Sequence, residues 1–145
     1  MRALIQRAKY GKVSVAGTAI AEIEHGLVIL LGIGHGDGEE QAVFLTEKIA
    51  NLRIFEDAEG KMNLSVRETG GGAIVVSQFT LYGDVRKGRR PSFTDAALPE
   101  MARPLVDRFA QLMDEQGVPT QQGEFGAHML VEIQNDGPVT IWLEK

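Results

Sequence analysis

The side chains able to do chemistry in this chain are few. It has no cysteine, which removes thiolate nucleophiles, thiolate metal sites and disulfides. Its histidines, His25, His35 and His128, are widely scattered, and no HExxH spacing occurs. They read as surface or packing residues, so neither a metal nor another cofactor is expected. What stands out is polarity arriving late in an apolar stretch: Ser77, Gln78 and Thr80 follow Ala73-Ile74-Val75-Val76 and precede a polar loop. Ser77 does not lie in a Gly-x-Ser-x-Gly elbow, which argues against a serine triad. Hydroxyl and amide groups at such a place could orient a substrate, and an ordinary strand end with satisfied hydroxyls fits the same residues. Gly137-Pro138 is the second oddity. Few X-Pro bonds in folded proteins are cis, so on sequence alone it reads as a turn.

Two further segments invite a functional reading. Gly32-Ile33-Gly34-His35-Gly36-Asp37-Gly38 sits where a dinucleotide fingerprint would, but the third glycine falls on Asp37 or Glu39 in either register. No Gly-Lys-Ser/Thr ending makes it a phosphate loop, so it reads as a strand-to-helix turn. Arg86-Lys87-Gly88-Arg89-Arg90 places four of the 15 basic residues within five positions, against 20 acidic residues and a net charge of −5. That balance argues against wrapping a long duplex, because such affinity comes mainly from phosphate neutralisation. A local RNA contact at this run and a solvated loop both remain open.

The secondary structure around these residues follows from periodicity. With 145 residues, 43% of them hydrophobic, one domain over 1–145 is expected to bury about two-thirds of its unfolded surface. No apolar run approaches the roughly 20 residues of a membrane span and no signal-peptide core opens the chain. A soluble, unprocessed, cytoplasmic protein that makes no membrane contact is the expectation. Arg2 to Lys9 alternates as a strand, Val13–Val15 and Ala19–Ile23 flank a hairpin turn, and Leu27–Leu31 reads as a strand buried on both faces. Asp37, with Glu40 three positions on, predicts a helix start, and Ala42, Leu45, Ile49 and Leu52 form its apolar stripe.

Arg53-Ile54-Phe55 and Met62–Val66 read as a small hairpin, and Ala73–Leu81 as one strand. A second helix is predicted from near Pro99 to Gln116 with Met101, Leu105, Phe109 and Leu112 on one face; Pro104 there means a kink or the true first turn. His128–Ile133 and Val139–Leu143 read as two last strands. This order predicts an α/β, mixed α+β chain: a mixed, largely antiparallel sheet with two helices packed on it.

With Ser77-Gln78-Phe79-Thr80-Leu81 and Asn135-Asp136-Gly137-Pro138-Val139-Thr140, the chain closely resembles the D-aminoacyl-tRNA deacylase family in its bacterial and general eukaryotic form. The likeness extends to Met1–Arg7, Gly26–Gly34, Lys87–Phe93 and Phe125–Met129, essentially the whole chain. It implies the family's curled-sheet fold and a homodimer that hydrolyses the ester of D-aminoacyl-tRNA in translation quality control, acting on the 3′ end without a metal. It also implies that Gly137 and Pro138, joined by a cis peptide, enter the partner's site beside Ser77, Gln78, Phe79 and Thr80, and that Arg7 holds the Gly-Pro loop. Phe79 points to the D-specific branch, because the animal-specific relative carries an altered strand motif and a trans Gly-Pro.

Ester hydrolysis builds negative charge on the carbonyl oxygen, and the backbone N–H groups of Phe79 and Thr80 are candidate donors to it. A lone Thr80 hydroxyl lacks a legible base, so either it attacks, or a ribose hydroxyl of the tRNA activates water. Exclusion of L side chains by the Gly-Pro unit would leave glycine undetected, so glycyl-tRNA, including glycine mischarged on tRNA(Ala), is expected to be cleaved too. A non-catalytic RNA-end-binding dimer and a nucleotide-binding module are the alternatives from other classes.

Overall fold

The computed structural model describes residues 1–145. Along the chain come β1 (Arg2–Val15), β2 (Thr18–Ile23), β3 (Gly26–Gly32), α1 (Glu39–Ala50), β4 (Phe55–Glu56), β5 (Met62–Leu64), β6 (Gly72–Ser77), a 3-10 turn (Phe79–Tyr82), α2 (Pro99–Glu115), β7 (Thr120–Gln122) and β8 (Met129–Glu144). Strand β1 organises the sheet. Its first half pairs antiparallel with β3 and its second half with β2, while β8 runs antiparallel along its other edge. β6 adds parallel to β3, and β7 parallel to β6, so the sheet is mixed, as the order of elements predicts. β4 and β5 form the separate small hairpin.

Burial explains the curl. The larger core packs Ala3, Ile5, Leu27, Ile29, Leu31, Ala73 and Val75 against α1 and α2. The opposite face has its own core, Ala8, Val13, Ala21, Ile23, Val28, Ile74 and Val76, because the β1–β2 hairpin folds back over β3 and β6. Hence β3 and β6 read as continuous apolar runs rather than alternating ones. Gly11 permits this close approach, since a Cβ there would lie 2.7 Å from Val28 Cγ2. The hairpin closes on Ala16 and Gly17, both at positive φ (48° and 81°), as two-residue turns that match strand twist require.

Four details differ from the sequence expectation. Helix α1 starts from Gly38, whose N–H donates to Gln41 Oε1 (2.9 Å), and Asp37 is engaged elsewhere. Met101 is 61% exposed; the buried face of α2 is Ala102, Val106, Phe109, Ala110, Leu112 and Met113, with Pro104 inside the helix on its wet side. Proline has no N–H to donate there, and the carbonyl it leaves without a partner, that of Glu100, belongs to an exposed residue. The two last strands are one, β8, interrupted by a bulge opposite Arg7. Strand β6 stops at Ser77, and the chain turns into the 3-10 segment. No helix is long and apolar enough to cross a membrane.

Candidate active site

The motif Ser77-Gln78-Phe79-Thr80 straddles the end of β6, and what ends the strand is set by its neighbours. Gln78 N–H still donates to Leu31 O of β3 (2.7 Å), the last rung of the parallel ladder. Beyond it, Gly32 and Gly34 leave room for the chain to turn: a Cβ on Gly32 would meet Gln78 O at 3.1 Å, and one on Gly34 would meet the Tyr82 hydroxyl at 2.5 Å. Asp37 completes this support, accepting from Gly34 N–H (2.6 Å) and from the Tyr82 hydroxyl (3.3 Å). Burial, with Asp37 next, raises the Tyr82 hydroxyl above its ordinary range, so it stays a donor. Arg2 Nη1 donates to Leu81 O (3.0 Å), with its guanidinium 4.2 Å above the Tyr82 ring.

This framework leaves the first turn of the 3-10 segment facing outward. Leu81 N–H donates to Gln78 O (3.3 Å) and Gly83 N–H to Thr80 O (2.9 Å), but no acceptor in the chain takes the N–H of Phe79 or Thr80. Such orphan donors are inherent to a helical first turn. The Gln78 side-chain amide donates to the Thr80 hydroxyl, so the group beside that hydroxyl is one that cannot take its proton. Neither a carboxylate nor an imidazole lines the adjoining cavity.

That cavity, about 430 Å³, opens beside Ser77, Gln78 and Phe79 and is walled by Leu31 of β3 and Ile33 just past its end, by Phe93, Ala97, Ala102 and Val106 towards α2, and by Phe125 and Met129. Phe79, 57% exposed, meets Phe93 edge to face with centroids 5.0 Å apart. Sequence reasoning assigned no role to Phe93–Leu98 or Phe125–Met129, although isolated aromatic and apolar residues in polar loops were a signal that something apolar is enclosed.

The other candidate residues lie elsewhere. Gly137 and Pro138 occupy the β8 bulge, are exposed, and share a cis peptide, with Gly137 at φ 128°. Asn135 closes this turn: its Oδ1 accepts from Val139 N–H (2.8 Å) and its Nδ2 donates to the Thr140 hydroxyl (2.9 Å). Arg7, only 4% exposed, donates from Nε to Asp136 O (3.0 Å) and from Nη1 to Ile54 O (2.6 Å). Its guanidinium also faces the Asp136 carboxylate at 3.6 Å. Within one chain the bulge and Ser77 are three strands and four residues apart, roughly 20 Å along the sheet at ordinary strand spacings. One copy therefore does not bring the two motifs together.

The histidines do structural work where they bond at all: His35 Nε2 lies 2.9 Å from Thr94 O and His25 Nε2 3.2 Å from Thr69 O. No three His, Asp or Glu side chains converge.

The chain is similar to known proteins along essentially its whole length. The family model described as D-Tyr-tRNA(Tyr) deacylase matches residues 4–144. A D-aminoacyl-tRNA deacylase of Thermomicrobium roseum is 57% identical over 145 residues, covering all of this chain and 94% of the relative. One from Heliobacterium modesticaldum is 58% identical over 99% of this chain and 96% of its own length. Among solved structures, a protein described as c-Myc DNA Unwinding Element Binding Protein superposes with a TM-score of 0.93 at 40% identity, covering 100% of this chain and 99% of the other. A second, described as "a probable eukaryotic D-amino acid tRNA deacylase", has a TM-score of 0.81 at 19% identity over 98% and 97% of the two chains, a likeness of fold.

Proposed function

The chain belongs to the D-Tyr-tRNA(Tyr) deacylase family, and from that premise we propose that it hydrolyses the ester between a D-amino acid and the terminal ribose of tRNA, working as a homodimer. The observation that carries this reading is the pair of unclaimed N–H groups at Phe79 and Thr80 beside an apolar, aromatic-walled cavity. A carbonyl oxygen placed against those donors gains charge as water attacks its carbon, and each such donor is worth about 3 kcal/mol in the transition state. The new C–O bond forms to water, the bond to the ribose oxygen breaks, and the water's proton passes to the leaving ribose oxygen. The neighbouring ribose hydroxyl is the group that orients the water, because the Thr80 hydroxyl has an amide rather than a base beside it. The cavity's size and aromatic rim suit the terminal nucleobase.

Stereochemical choice falls to Gly137 and Pro138 of a second copy. They are too far from Ser77 within one chain to act there, and they project from β8, a 16-residue strand whose outer edge has no partner and which exposes Leu130 and Trp142. An edge of that length invites pairing or cover by another chain. Backbone carbonyls of a turn held by Arg7 and Asn135 then occupy the space of an L side chain while the D side chain points outward.

The test is hydrolysis of D-tyrosyl-, L-tyrosyl- and glycyl-tRNA in the presence of a chelator, with glycyl-tRNA(Ala) included. Cleavage of the D and glycyl substrates with survival of the L substrate is expected. Tight binding of charged tRNA without turnover would instead identify an RNA-end-binding dimer, and survival of glycyl-tRNA would refute exclusion as the source of selectivity. Thr80→Ala is expected to lower kcat by less than about tenfold, the lower end of what one positioned catalytic group contributes being a hundredfold. Abolished turnover in a folded, tRNA-binding variant would make the Thr80 hydroxyl the nucleophile.

A further inference from the structure

We propose that Lys87, Arg89 and Arg90 form a clamp for the phosphates of the tRNA's 3′-terminal strand at the rim of the cavity, an inference that rests on the deacylase reading above. Eight of the 15 lysines and arginines lie within ion-pair distance of a carboxylate, and three of the remaining seven are in this one loop. The fourth cation of the run, Arg86, is used to build the loop. It grips Asp84 through Nε and Nη2 (2.9 and 2.7 Å), and Asp84 exchanges both backbone hydrogen bonds with Ser92 (2.7 and 2.9 Å). The Arg86 guanidinium and N–H hold the Asp84 carboxyl down to about 2, so this closure is charged at any working pH. Gly88, at φ 73° with nothing within 4 Å of where a Cβ would be, turns the tip in open solvent, and Lys87, Arg89 and Arg90 are all exposed.

Position distinguishes this loop from an ordinary solvated one. Its closing residue, Ser92, is followed directly by Phe93, which lines the cavity and touches Phe79. A strand of RNA with its terminal base in the cavity must leave past this rim, trailing one phosphate per nucleotide. The rest of the protein carries a net negative charge and repels it, so a cationic loop at that exit both retains and orients the strand.

Salt dependence reads the clamp. Three phosphate contacts lower kcat/KM for D-aminoacyl-tRNA roughly 20- to 40-fold between about 50 and 200 mM salt. The variant Lys87→Ala/Arg89→Ala/Arg90→Ala is expected to lose most of that dependence. A control of equal charge change away from the cavity, Lys48→Ala/Lys61→Ala/Arg67→Ala, is expected to keep it. The D-aminoacyl ester of adenosine, which has no phosphate, gives the comparison: the ratio of kcat/KM on tRNA to that on the adenosine ester falls at least tenfold in the loop variant. An unchanged ratio and salt slope, or equal losses on both substrates, would overturn the clamp. Binding of uncharged tRNA, followed by fluorescence anisotropy, separates the two levels of inference. Tenfold weaker binding by the loop variant supports the clamp even if the wild-type chain cleaves neither ester, a result that would remove the deacylase reading alone. Equal binding removes the clamp.

Discussion

Arg7→Ala is expected to lower stability by about 3 kcal/mol and to cut D-aminoacyl-tRNA hydrolysis more than a hundredfold. The guanidinium is buried and satisfies two backbone carbonyls, Asp136 O and Ile54 O, while facing the Asp136 carboxylate. Alanine leaves both carbonyls and part of that carboxylate without a donor, in a space too enclosed for the chain to collapse at once. The thermal midpoint should fall by roughly 10 °C, given about 2–4 °C per kcal/mol at this chain length. Activity, assayed below the variant's midpoint, should fall further than stability does, because the Gly-Pro turn is what Arg7 holds. Arg7→Lys should recover only part of either, since one ammonium cannot span two carbonyls that a planar fork reaches together. A midpoint within about 2 °C of the wild type, less than about 1 kcal/mol of stability at this chain length, would show that the bracing is dispensable.

Gly137→Ala is the second change with a large expected effect. Gly137 sits at φ 128°, where an L side chain is strained by about 1–3 kcal/mol. Its Cβ would also stand 2.8 Å from Val139 Cγ2 and 3.0 Å from Arg7 Nη2. The turn must shift, and in the proposed dimer the methyl group lies on the face turned to substrate. Loss of more than about a hundredfold in kcat/KM for D-tyrosyl- and glycyl-tRNA alike is expected, in line with what displacement of a site by about 1 Å costs, together with a fall of only a few degrees in thermal midpoint. Near-wild-type turnover would mean that the turn does not approach the reacting ester.

Much of this arrangement was legible in the sequence, and where it was not the reason is contact between distant segments. Of the stripe Ala42, Leu45, Ile49 and Leu52, set by local periodicity, the first three are fully buried as expected, while Leu52 lies past the end of α1 and is half-buried. The strand over Leu27–Leu31 was likewise readable, because burial on both faces leaves a continuous apolar run. The end of β6 was not, since nothing in Ser77-Gln78-Phe79-Thr80 announces a 3-10 turn; that turn is shaped by space at Gly32 and Gly34 and by Asp37 on Tyr82. Asp37 looked like a helix cap for the same reason that it serves elsewhere: a short carboxylate accepts whichever N–H or O–H is brought to it. β7 has three residues, too few for any period to declare itself. The two motifs were readable as types of residue, whereas their separation on one chain followed only from strand order.

Strand β1 holds the Gly-Pro turn through Arg7 and the 3-10 turn through Arg2, on residues five apart in one extended segment. In the proposed dimer these two turns serve different active sites. A defect in β1 of a single copy would therefore be inherited by both sites of a mixed dimer. A defect confined to either turn would stay in one site and leave the other whole.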